Sequence, residues 1–119
     1  MERDNINLQA AASLKPAGKF KYNSRMKKDL DPRGIAKDWQ ERGYSCGLWI
    51  DPPGQEWIGY VHDTDELILV LEGDLELELQ GRWRHCPPGE EVFIPAGAVH
   101  SVRNPGSTTA RWLYGYRRS

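Results

Sequence analysis

The arrangement of apolar and polar positions divides the chain near residue 44. Residues 1 to 30 are polar, with scattered apolar positions and no sustained repeat. They are expected to form an arm, either mobile or held across a neighbouring subunit. Asp31-Pro32 then has the signature of a helix start, an Asp cap followed by Pro in the first turn. Ile35 and Trp39 share one face with Ala36 beside them, and Gly43 is a suitable stop. The pattern predicts one short amphipathic helix lying across the main body of the fold or across a partner.

From Tyr44 onward the period becomes two. Tyr44–Ile50 reads as a strand and Asp51-Pro52-Pro53-Gly54 as a turn, with Trp57–His62 as the next strand. Leu67–Leu71 is apolar at every position, which predicts a strand covered on both faces. Leu75, Leu77 and Leu79 alternate with Glu76, Glu78 and Gln80, the plainest half-buried strand in the chain. Arg82–His85, Glu91–Ile94, Val99–Arg103 and Thr109–Tyr116 follow, separated by Gly and Pro turns. The last of these places Trp112, Tyr114 and Tyr116 on one face. Short strands punctuated in this way predict an all-β fold, a double-sheet jelly roll or closed barrel over 44–119, preceded by an arm and helix over 1–43.

Composition narrows the picture only slightly. The chain has 119 residues, with 16 basic and 17 acidic groups and a formal charge of -1. That balance gives no bias toward nucleic acid or a membrane surface. No apolar run has the length of a membrane span. The polar N-terminus does not read as a secretory signal, so a cytoplasmic location is expected. Cys46 and Cys86 have no metal-type spacing, and Cys46 is expected to act as a small buried apolar group.

The chemistry concentrates in two stretches. One holds Tyr60, His62 and Glu66, and closes on Gly73. The other runs from Gly89 through Pro95, Gly97 and His100 to Asn104. His62, Glu66 and His100 form a two-imidazole, one-carboxylate set. Such a set suits a divalent Fe, Mn, Ni, Zn or Co ion and leaves coordination positions open. His85 lies apart from both stretches and is expected at the surface. Asp63 and Asp65 are expected to be solvated.

The spacing of these stretches resembles the two motifs of the cupin superfamily, in its small single-domain form. Gly89, Pro95, Gly97, His100 and Asn104 match every position of the second motif. Gly54, His62, Glu66 and Gly73 match the first, but Tyr60 stands where that motif has its first His. The resemblance covers roughly 44–116 and implies a cupin-type double-stranded β-helix, commonly a homodimer. It also implies that His62, Glu66 and His100 hold a metal inside the barrel. A phenol, with a reference pKa of about 10, is a poor substitute ligand unless the metal acidifies it.

Two functional readings follow. In the first, the chain is a metal-dependent enzyme of dioxygenase, isomerase or lyase type acting on a small organic molecule. Tyr60 then serves as a proton donor or substrate-orienting group. In the second, the barrel is a metal-free module that binds or senses a small ligand, and His62 and His100 hydrogen-bond to Glu66 or Tyr60.

Overall fold

A computed structural model describes residues 4–7 and 30–118. Apart from Asp4–Asn7 and Leu30, the expected arm lies outside the described residues. The elements run β1 (Asp4–Asn7), α1 (Pro32–Glu41), β2 (Gly47–Asp51), β3 (Glu56–Tyr60), β4 (Glu66–Glu72) and β5 (Glu76–Leu79). They continue with β6 (Arg82–His85), β7 (Glu91–Ile94), β8 (His100–Arg103) and β9 (Ala110–Tyr116). Two antiparallel sheets face each other, one ordered β1-β2-β9-β4-β7 and the other β3-β8-β5-β6. This is the jelly-roll arrangement anticipated from the strand pattern.

The two-sided burial of β4 has a direct cause. Ile68 and Val70 point between the sheets, into a core with Leu75, Leu77, Ile94, Val102 and Trp112. Leu67 and Leu69 point the other way, into a second core with Ile35, Ala36, Trp39, Cys46 and Leu113. The second face is therefore covered by α1 of the same chain, and needs no partner subunit. The Asp31 side chain accepts a hydrogen bond from the Arg33 amide at 2.9 Å and caps the helix as expected. Burial pushes the Cys46 thiol up to about 12, which suits packing and not nucleophilic chemistry.

β3 differs from the expected strand in a way that bears on function. Trp57 lies opposite Val102 and Tyr60 opposite His100, so β3 carries one residue more than β8 over this span. Gly59, at φ 73°, absorbs the bulge, and Ser101 Oγ accepts its amide hydrogen at 2.9 Å. The extra residue puts Trp57 and Tyr60 on one face, with ring centroids 6.1 Å apart. β3 then ends, so His62 belongs to the following turn and is not oriented by the alternation of a strand.

Candidate metal centre

Glu66 begins β4 on the inward face, the first of the alternating positions continued by Ile68 and Val70. His100 begins β8 and is equally buried. His62 reaches the same place from its turn because that turn is tied to the turn before β8. The Gly97 amide donates to the His62 carbonyl at 2.8 Å. The Ala96 amide donates to Asp65 Oδ1 at 2.8 Å. Asp65, expected to be solvated, is thus a staple between the two motif-bearing loops. Gly97, at φ 83°, provides the left-handed backbone of its turn.

His62, Glu66 and His100 each offer a ligand atom, and these atoms all lie within 4.8 Å of one another. Glu66 Oε1 is 3.3 Å from His100 Nε2 and 3.6 Å from His62 Nε2. These contacts are too long or too poorly aligned to satisfy it, and the buried oxygen has no hydrogen-bond partner among the described residues. His100 Nδ1 lies 3.0 Å from the Ala98 carbonyl. A proton on Nδ1 makes that hydrogen bond and leaves the Nε2 lone pair facing Glu66. Burial opposes a charge on His100, but Glu66, the Ala98 carbonyl and Glu78 outweigh it and raise the pKa above the usual imidazole value.

These residues fit a divalent ion. An ion with bonds of about 2.1 Å in a tetrahedral site has ligands about 3.4 Å apart, close to the separations seen here. It would also give the orphaned Glu66 oxygen its missing partner.

A hollow of about 690 Å³ opens over the cluster, lined by Val61, His62, Asp63, Thr64, Gly97 and Tyr116. The His62 side chain is 29% exposed in its wall, while Glu66 and His100, at 5% and 4%, are not among the described lining residues. Tyr60 is 40% exposed on the other sheet, sharing the face of His100 by register. His85 is exposed on β6, away from the cluster. Asn104, the last residue of the second motif, is a buried brace. Its Nδ2 donates to the carbonyls of Asp51 and Thr108 at 3.2 and 2.9 Å.

Tyr116 was not singled out for the site by sequence reasoning. Its ring meets the His62 ring edge-on at 4.9 Å, and its hydroxyl lies 3.4 Å from His62 Nε2. The available signal was its place on the aromatic face of the last strand, although core packing is the commoner fate of such a residue.

Two facing antiparallel sheets with two His and one Glu gathered at one end of their strands define a jelly-roll barrel with a cluster that could hold a metal ion. The chain belongs to the cupin domain family, whose model matches residues 47–116. Over 64 residues it is 31% identical to a 5-nitrosalicylic acid 1,2-dioxygenase from Bradyrhizobium, covering 54% of this chain and 31% of that protein. Over 69 residues it is 32% identical to the polyketide synthase CurC of Streptomyces cyaneus, covering 57% and 45%. The chain thus spans less than half the length of either curated relative. Among solved structures, TT1209 of Thermus thermophilus is similar at 29% identity and a TM-score of 0.58, over 64% of this chain and 74% of that one. A cupin barrel protein of Salinispora arenicola, 22% identical with a TM-score of 0.60 over 65% of each chain, shares the fold.

Proposed function

We propose that the protein is a divalent-metal-dependent enzyme acting on a small organic molecule in the hollow above His62. The observation that carries this reading is the buried Glu66 oxygen, which lacks a hydrogen bond among the described residues while two imidazole nitrogens stand beside it. An unsatisfied buried acceptor costs about 1–3 kcal/mol, more when charged, and a cation offsets that cost. His62, Glu66 and His100 hold the ion. When bound, the ion polarises substrate oxygen atoms and acidifies water. Tyr60, exposed beside Trp57 and opposite His100 in the ladder, orients the substrate or donates a proton.

Support from relatives is general. One similar protein is named a dioxygenase and another a polyketide synthase, so dioxygenase, isomerase and lyase chemistry all stay within the proposal. Its setting is cytoplasmic, which the free and buried thiols of Cys46 and Cys86 suit. No helix among the described residues is long and apolar enough to cross a membrane. A homodimer is also proposed. Exposed Trp83 and Phe93, on the edge strands β6 and β7, are apolar surface that a second copy would cover.

The test is elemental analysis of protein purified without chelator or affinity metal. The expected result is close to one equivalent of a first-row ion in the parent and less than about a tenth of an equivalent in His100→Ala. A parent that stays empty even after reconstitution would overturn the reading and favour a metal-free ligand-binding barrel.

A further inference from the structure

Two phenols bear on the cluster, and Tyr116 has its oxygen 3.4 Å from a candidate ligand atom, Nε2 of His62. Tyr60 occupies the motif position of the absent His, but its ring lies by Trp57 and is 40% exposed. Tyr116 comes from β9, where it pairs directly with Glu66 of β4. Residues opposite one another in an antiparallel ladder project to the same face, so Tyr116 and Glu66 both point inward. The Tyr116 ring is held between that of His62 at 4.9 Å and that of Tyr114 at 5.7 Å, edge-on to both.

Three separations link the four groups in a chain. Tyr116 Oη to His62 Nε2 is 3.4 Å, His62 Nε2 to Glu66 Oε1 is 3.6 Å, and Glu66 Oε1 to His100 Nε2 is 3.3 Å. Each is close to the ligand–ligand edge of about 3.4 Å for a four-coordinate ion with bonds near 2.1 Å. We propose that Tyr116 supplies the fourth donor to the ion, replacing from the last strand the imidazole that Tyr60 displaces from the first motif. This rests on the metal reading above.

The consequence is a donor set of two nitrogens and two oxygens. A bound cation lowers the pKa of the phenol it contacts, so the phenol can enter as phenolate. Hard oxygen donors of this kind favour iron, manganese or zinc over ions selected by thiolate. Tyr60 is then left for the substrate, and the two phenols have separate roles.

The experiment loads the metal-free full chain with one equivalent of Fe(III) and records its visible absorption, for the parent, Tyr116→Phe and Tyr60→Phe. Zinc affinity is measured in parallel by competition with a chelator. A phenolate bound to Fe(III) gives a visible charge-transfer band. The band is expected in the parent and in Tyr60→Phe, and is expected to be absent in Tyr116→Phe. Zinc binding in Tyr116→Phe should weaken by about tenfold or more, the scale seen even for outer partners of metal ligands. The parent spectrum tests the idea independently of how the variants fold. Iron bound by the parent without the band overturns the proposal. So does a band, or a zinc affinity, that is unchanged in Tyr116→Phe, and so does a band lost only in Tyr60→Phe. A parent that takes up neither iron nor zinc overturns the metal reading itself, and this inference with it.

Discussion

Asp51 and Glu66 are both carboxylates buried to within a few per cent, yet their surroundings assign them different work. Asp51 accepts from the Trp112 indole at 2.9 Å and the Trp57 indole at 3.3 Å, and its carbonyl accepts from Asn104. It is a satisfied buried carboxylate that ties β2 to β9, to β3 and to the loop after β8. Glu66 has a buried oxygen with no such partner among the described residues. Substitution should separate the two roles. Asp51→Asn is expected to cost about 1–3 kcal/mol in chemical denaturation, because its amide would face an indole N–H where an acceptor is required, and to leave metal content intact. Glu66→Gln is expected to lose the metal, while the metal-free variant stays within about 1 kcal/mol of the parent, since the altered oxygen has no hydrogen bond to lose. Denaturation of metal-free proteins, together with elemental analysis, checks both expectations.

At the scale of elements, apolar packing seats the helix on the barrel, and one barrel carboxylate gathers polar contacts from its C-terminal end. Glu91 of β7 accepts from the Trp39 indole at 3.0 Å and receives both terminal nitrogens of Arg42, at 2.9 and 2.8 Å. The Arg42 guanidinium holds the Glu91 carboxyl below the usual carboxylate range, against the opposing effect of burial. A depressed folded pKa means that this stabilisation is complete above the unfolded value, near 4.3, and is lost as pH falls through the folded value. Glu91→Ala should cost about 1–3 kcal/mol, mostly from leaving the buried Trp39 indole without its acceptor, because a partly exposed ion pair contributes at most about 1 kcal/mol. Glu91→Gln keeps an acceptor and should cost less. Both variants should lose less stability on acidification than the parent, as denaturation at neutral pH and near pH 4 would show. Most of these elements could be read from the chain. Asp31-Pro32 and Gly43 bound the helix, and the expected ranges of β6 and β7 coincide with those observed. β3 could not be read in full, because its bulge depends on Gly59 meeting Ser101, a residue more than forty positions away in the chain.

For the whole molecule, the proposed ion binding would be linked to folding. The three candidate ligands come from the turn after β3, the start of β4 and the start of β8, so an ion that binds only the folded chain would stabilise all of these junctions together. At a free concentration one hundred times Kd this amounts to about 2.7 kcal/mol, or a rise in Tm of roughly 10 °C for a domain of this size. Thermal melts with and without zinc should show that rise in the parent and none in His100→Ala. By itself the sequence determined the strand pattern, the cupin motifs, and which three residues could share an ion, because period and spacing are local properties of the chain. Only the tertiary structure decided which phenol meets His62. The pairing of β9 with β4 brings Tyr116, fifty residues after Glu66 in the chain, to its side, while the bulge at Gly59 sets Tyr60 against Trp57. Register between distant strands is set by packing across the whole barrel, and no local pattern encodes it.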